Sequence, residues 1–188
     1  DVTFLEKNRS RLLGIVITHA HEDHYGALLT LWPKLRAPVY ATPFTAGLLE
    51  AKRGGDAIGV EIPVRIVRGG SRITLGPFEV EFIPVTHSVP HGFATAFHTA
   101  QGVLLHSGDF KIDHTPVDGR RLDLARFATY GEQGVVALFS DSTNAEREGS
   151  TLTEKDIGCA LRQIFQECPG RIIIAVFAAL AISIGAIV

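Results

Sequence analysis

At 188 residues, 46% of them hydrophobic, the chain is long enough to close one domain around a real core. Its formal net charge of −2, without a basic tract, argues against a protein that grips nucleic acid through its own charge alone. Two cysteines, Cys159 and Cys168, in or near one predicted helix, read as ordinary buried or half-buried thiols, suggest no disulfide framework and make a reducing cytoplasm the default.

No signal peptide opens the chain, and the absence of methionine predicts that Asp1 is not a natural start. The apolar, β-branched run 14–18 reads as a buried strand that leads into a histidine-rich loop at 19–24. A helix over 25–32 follows, and Pro33 is expected to end it. Residues 38–42 read as a strand, and Pro43 suits the first turn of a helix over 44–52 that stops at Gly54 and Gly55. Short strands are predicted at 64–67, 72–75, 78–85, 94–98 and 103–106, with turns at Gly69-Gly70, Gly76-Pro77 and Gln101-Gly102. A helix near 122–129, a strand at 135–140, and a helix from a Thr151-x-x-Glu154 capping box to about Glu167 complete the pattern. Strands flanked by helices in this way indicate an α/β layered sandwich. Residues 171–177 are dense in β-branched residues and read as a buried parallel strand. The uncharged run continues as an apolar tail at 178–188, near the lower limit for a membrane span, but the strand reading takes precedence and no membrane partner is expected.

Residues 19 to 24 read His-Ala-His-Glu-Asp-His, directly past the end of a strand. Imidazole nitrogen and carboxylate oxygen are ligands that zinc accepts. Even with Glu22 set aside, four potential ligands in six residues exceed what one tetrahedral ion needs from a single loop, so a pair of ions is expected, and paired ions are a hydrolytic device. Partners lie downstream. The strand at 78–85 ends at Thr86-His87-Ser88, and the strand at 103–106 ends at Ser107-Gly108-Asp109, where Gly108 allows a sharp turn. From the residues alone the reading stops at a two-metal hydrolase.

The set His19, His21, Asp23, His24, His87 and Asp109 resembles the metallo-β-lactamase superfamily. Three stretches narrow the resemblance: Thr18-His19-Ala20-His21-Glu22-Asp23-His24-Tyr25-Gly26-Ala27, Ser107-Gly108-Asp109-Phe110-Lys111-Ile112-Asp113 and Ser140-Asp141-Ser142-Thr143-Asn144-Ala145-Glu146. They look like the ribonuclease J branch of the β-CASP nucleases, over residues 1–177. The resemblance implies an αββα sandwich, here incomplete, without its first strands and without the β-CASP insertion that would follow residue 177. It implies exo- or endonucleolytic hydrolysis of RNA with two zinc ions. His19, His21 and His87 would hold one zinc, Asp23 and His24 the other, and Asp109 would bridge both. Asp23 and Asp109 are the implied catalytic carboxylates. The second zinc would take a further histidine from beyond the insertion, and no residue of this chain matches it. A cytoplasmic enzyme that forms a homo-oligomer at full length is also implied.

Other positions are weaker. Glu22 alternates away from its neighbours and is not expected to be a ligand, though it can tune the residues that are. His98 and His106 lie on facing strands and read as packing or surface residues. His91, four residues past His87 on a loop, is a candidate substrate contact, as are Ser142, Thr143 and Asn144, whose alternative role is to cap a helix. Two other functions compete. A small-molecule hydrolase of the same fold (glyoxalase, lactonase or β-lactamase type) would complete its second site from one compact domain. A non-catalytic scaffold would have lost ligands, and all six positions are intact.

Overall fold

The computed structural model describes residues 1–55 and 61–175. A helix α1 (Thr3–Lys7) and a 3-10 turn (Arg9–Arg11), neither anticipated, lead into strand β1 (Ile15–Val16). The expected helix over 25–32 is two helices, α2 (Glu22–Tyr25) and α3 (Leu28–Leu35). Pro33 lies inside α3 instead of ending it. A proline removes one N–H bond of the ladder, but burial of Leu28, Leu29 and Leu35 holds this short helix, which ends where Arg36 takes φ 51°. The Trp32 Nε1–H donates to the carbonyl of Ala37 at 2.7 Å and fixes that end.

Strand β2 (Val39–Ala41) pairs parallel with β1 and with β3 (Val64–Ile66). Between them α4 (Pro43–Gly55) begins as expected at Pro43, where the Thr42 Oγ1 accepts from the Thr45 N–H. A second sheet holds β4 (Arg72–Leu75), β5 (Phe78–Pro84), β6 (Phe93–Thr99), β7 (Gly102–His106) and β8 (Ala137–Phe139), in that order. Its pairs are antiparallel except β7 with β8. Helix α5 (Leu124–Gln133) precedes β8, and α6 (Glu154–Glu167) follows it.

Strand alternation sets the layers. Val39 and Ala41 pack on α2 to α4 with Ile17, Tyr25, Leu28 and Leu49, while Tyr40 between them faces the other sheet. Val80, Phe82 and Phe93 meet Tyr40 and Val67 in the space between the sheets. Ile83, Ala94, Ala96 and Leu105 turn to the opposite side, against α5 and the fully buried Tyr130. The order is helix, sheet, sheet, helix, so the α/β sandwich reading holds.

The outer face also buries a charge. Glu81 on β5 is 7% exposed. Arg126 of α5 donates to both its oxygens at 2.6 and 2.7 Å, the Tyr130 hydroxyl donates at 2.6 Å, and Arg72 stands 2.7 Å away. Burial alone would raise the Glu81 carboxyl, but the bonds from Arg126 and Tyr130 outweigh it and hold the pKa at about 2. Glu81→Gln leaves Arg126 with a neutral partner, and the expected loss is about 2 kcal/mol at neutral pH. Because the folded carboxyl titrates below its ordinary 4.5, the charge stabilises above that value and the gain fades as pH falls towards about 2. Urea unfolding of wild type and variant at neutral and acidic pH checks this: the gap should narrow in acid.

Three further expectations are corrected. The capping box of α6 is Thr153 with Asp156, not Thr151 with Glu154. Glu154 is turned inward instead, where its Oε2 accepts from the Val117 N–H and its Oε1 pairs with Lys111 at 2.8 Å. Residues 171–175 form no strand, and Ile173 is 88% exposed. β-branched composition favours a strand only where a neighbour offers a ladder, and no described strand lies alongside. Cys159, read as at least half-buried, is exposed, and Cys168 is half-buried. The expected strand at 176–177 and the apolar tail at 178–188 lie outside the described residues. Among the described residues no helix is long and apolar enough to cross a membrane.

Candidate metal centre

The chain ends of three strands converge here. Beyond β1 come His19, His21, Asp23 and His24, beyond β5 comes His87, and beyond β7 comes Asp109. Two links fasten those ends. Thr86 and Lys111 pair as an antiparallel bridge, with the Lys111 N–H donating to the Thr86 carbonyl at 2.8 Å. The Phe93 N–H donates to the Thr18 carbonyl at 3.1 Å and ties β6 to the first ligand loop.

His19, His21, His87 and Asp109 each offer one ligand atom, and the four atoms lie within 4.8 Å of one another. The His21 Nδ1 stands 3.1 Å from the His19 Nε2 and 3.0 Å from the His87 Nε2. The Asp109 Oδ2 lies 3.6 Å from the His19 Nε2 and 3.7 Å from the His87 Nε2. Ligands bonded at about 2.0–2.1 Å to one tetrahedral ion stand about 3.3 Å apart, so the spacing fits a metal ion. The other carboxylate oxygen faces elsewhere: Asp109 Oδ1 is 3.4 Å from the His24 Nε2, which is 3.5 Å from the Asp23 Oδ2. Asp109 thus presents one oxygen to each group. Asp23 is largely exposed, with its side chain 79% accessible.

Protonation agrees with ligation. Burial first, then the neighbouring imidazoles, push His19 down to about 2. Burial first, then His21, lowers His87 to about 4. Burial lowers His21 as well, against the carboxylates of Asp23 and Asp109. Neutral imidazoles keep the lone pairs that a cation needs.

Residues that sequence reasoning missed orient these rings. The Thr18 hydroxyl sits 3.0 Å from the His19 Nδ1, and the Ser88 hydroxyl 3.2 Å from the His21 Nε2, so each partner engages the ring nitrogen that faces away from the cluster. Both are neighbours of a ligand in sequence, which is the signal that was available. Glu22 points away, as expected, to an ion pair with Lys52 of α4. His98 bonds the Tyr130 hydroxyl at 2.9 Å, and His106 accepts from the Gly108 N–H at 3.0 Å while stacking on Phe139. Both stay outside the cluster.

The candidate substrate contacts separate. Ser142, Thr143 and Asn144 lie in an exposed loop, anchored where the Asp141 N–H donates to the Ser107 Oγ at 2.9 Å. Burial opposes ionisation of Asp141, but hydrogen bonds from Thr143 and the Phe110 backbone lower its pKa, and His87 lowers it further. Asn144 takes φ 62°, a conformation asparagine tolerates. His91 takes φ 64° in the loop after His87, and burial followed by the Arg120 charge lowers its pKa.

Over residues 2–130 the chain matches the family described as the Beta-lactamase superfamily domain. It is 49% identical over 177 residues to a ribonuclease J of Sinorhizobium meliloti, covering 94% of this chain and 31% of that protein. A ribonuclease J of Helicobacter pylori is 43% identical over 180 residues, covering 94% of this chain and 26% of that protein. One from Synechocystis is 41% identical, covering 95% and 28%. The chain thus spans about a third or less of the length of these curated relatives. Among solved structures, a protein of unknown function from Enterococcus faecalis superposes with a TM-score of 0.67 at 18% identity, over 93% of this chain and 44% of that one. That likeness concerns the fold alone.

Proposed function

This chain belongs to the β-lactamase superfamily domain family, and from that premise we propose that it is the metal-binding part of a ribonuclease J-like enzyme that hydrolyses RNA phosphodiester bonds. The observation that carries the reading is the gathering of His19, His21, His87 and Asp109 at one point. In the proposal these four hold one zinc ion, and Asp23, His24 and the second oxygen of Asp109 face another. Held by these residues, a zinc pair would supply positive charge for the phosphoryl oxygens and would favour ionisation of water near neutral pH.

The chain's own residues prepare that chemistry. Thr18 and Ser88 hold the rings of His19 and His21 in place, so the donor atoms are set before substrate arrives. Asp109 faces both groups, and Asp23 stands at the open side. His91, Ser142, Thr143 and Asn144 are the proposed contacts to RNA. The net charge of −2 assigns most of the positive grip on RNA to segments beyond this chain. Unpaired Cys159 and Cys168 suit the proposed cytoplasmic setting, and a homo-oligomer is proposed for the full-length protein.

The test is a time course on 5′-labelled single-stranded RNA with the full-length protein, with and without chelator, alongside metal analysis. About two zinc ions per chain and chelator-sensitive cleavage, faster from a 5′-monophosphate than from a 5′-triphosphate, are expected. Metal content near zero in undialysed protein sinks the metal reading. Chelator-sensitive turnover of a β-lactam or thioester, with none of RNA, moves the assignment to a small-molecule hydrolase.

A further inference from the structure

Residues 107–123, between β7 and α5, carry Asp109 yet hold no helix or strand, apart from the isolated bridge at Lys111. A ligand on such a segment is placed only as well as its neighbours are locked by packing and hydrogen bonds. The locking contacts gather two residues past Asp109. The Lys111 N–H donates to the carbonyl of Thr86, the residue before His87, at 2.8 Å. The Lys111 ammonium stands 3.1 Å from the Asp113 Oδ2 and 2.8 Å from the Glu154 Oε1. Asp113 and Glu154 are buried, at 4% and 8% exposed.

All four carboxylate oxygens are engaged. The Asp113 Oδ1 accepts from the Thr115 N–H at 2.8 Å, and its Oδ2 from the Glu154 N–H at 2.9 Å, where α6 begins. The Glu154 Oε2 accepts from the Val117 N–H at 2.9 Å, and its Oε1 takes the Lys111 ammonium. Among the described residues no other cation pairs with either carboxylate. Without the ammonium, two buried negative charges would face each other unpaired, and such a pair forces its surroundings to shift. Glu154 is built into a helix of 14 residues. The turn that carries Asp109 is the part free to give way.

The clamp also borders the cluster. A cavity of about 440 Å³ opens beside the ligands, with His87, His91 and Glu154 in its wall. Lys111 does not line that cavity, so its influence on anything seated there runs through the residues it holds.

We propose that Lys111 is a positioning residue: its ammonium, clamped between Asp113 and Glu154, fixes the turn that carries Asp109 and so sets how the shared carboxylate meets the imidazoles of His19, His24 and His87. The role rests on the metal-centre reading of the cluster and is independent of which substrate is hydrolysed.

The test titrates the full-length protein with zinc against a chromophoric chelator at one fixed pH, beside steady-state rates on labelled RNA at saturating zinc. Lys111→Met keeps the length of the side chain and removes its charge. It should weaken zinc binding roughly 10-fold or more, as expected of residues that orient metal ligands. It should also lower kcat roughly 10-fold or more with KM little changed, because the cavity wall is intact. Lys111→Arg returns a cation to the carboxylates and should recover most of the zinc affinity. Glu154→Gln, which keeps the shape and removes one charge, should weaken zinc roughly 3-fold. Glu81→Gln removes a buried charge beneath α5 instead, and should lower the melting temperature without moving zinc affinity. RNA cleavage with kcat and zinc affinity unmoved by Lys111→Met overturns the role and leaves the RNA reading standing. If Lys111→Met does not fold, Glu154→Gln decides, and a zinc affinity equal to that of Glu81→Gln overturns the role. A protein that loses zinc affinity on Lys111→Met, yet cleaves no RNA as wild type, keeps the role and removes the RNA reading.

Discussion

Asp109→Ala should cut RNA turnover by the full-length protein roughly 10³-fold or more, because it removes several kcal/mol of charge organisation at the reacting phosphate. Asp109 is the residue whose two oxygens face different groups, Oδ2 towards His19 and His87 and Oδ1 towards His24. Without it three imidazoles remain on one side, and Asp23 and His24 remain on the other with nothing shared. His91→Asn is the comparison, since asparagine accepts the φ of 64° at that position. It touches the wall of the neighbouring cavity and not the cluster, so its loss should stay within roughly 10-fold and show mainly in KM. Circular dichroism establishes that both variants are folded, and single-turnover rates on labelled RNA decide between them. Equal residual rates contradict the assigned roles.

Gly108→Ala should be nearly as damaging, although alanine carries no charge and adds one carbon. Gly108 takes φ 59°, where an L side chain is strained. The added Cβ would stand 2.9 Å from the Phe93 carbonyl oxygen and 3.3 Å from the Thr18 Cβ. The first is backbone, and Phe93 is itself bonded to Thr18 across the junction of the sheets, so neither neighbour yields readily. Relief comes by moving the turn that carries Asp109. Overpacking and strain together should cost about 2–4 kcal/mol of stability. A displacement near 1 Å of the shared carboxylate should cost roughly 10²-fold in rate. Thermal unfolding and metal content measured on the same preparation test both parts. Unchanged metal content with an unchanged melting temperature contradicts the account.

Local signals predicted much of the chain because the forces behind them are local. The alternation in 78–85, the turns at Gly70, Gly76 and Gly102, and the placement of Pro43 in a first helical turn depend on residues a few positions apart. The candidate ligand positions were legible for a related reason. His19, His21, His87 and Asp109 lie in the loops just past strand ends, and Asp23 and His24 in the short helix α2 that follows the first of them, so side chains can be held there at fixed spacing. The failures came where a neighbour in space outweighed a neighbour in sequence. Pro33 stays inside α3 because Leu28, Leu29 and Leu35 are buried. Glu154 is drawn from a helix cap to the ammonium of Lys111, leaving Thr153 and Asp156 to cap α6.

By itself, then, the sequence determined the α/β class, the order of most elements and which side chains are candidate ligands, since these follow from short-range periodicity and residue chemistry. The packing of the sheets settled the rest: which oxygen of Asp109 faces which histidine, that Thr18 and Ser88 hold the rings, and that Glu81 is buried beneath α5. It alone brought Arg68, His91 and Arg120 around one cavity. Apart from the contact of Thr18 with its neighbour His19, those join residues tens of positions apart, and no local pattern encodes them, because each depends on how two sheets pack and where their strands end.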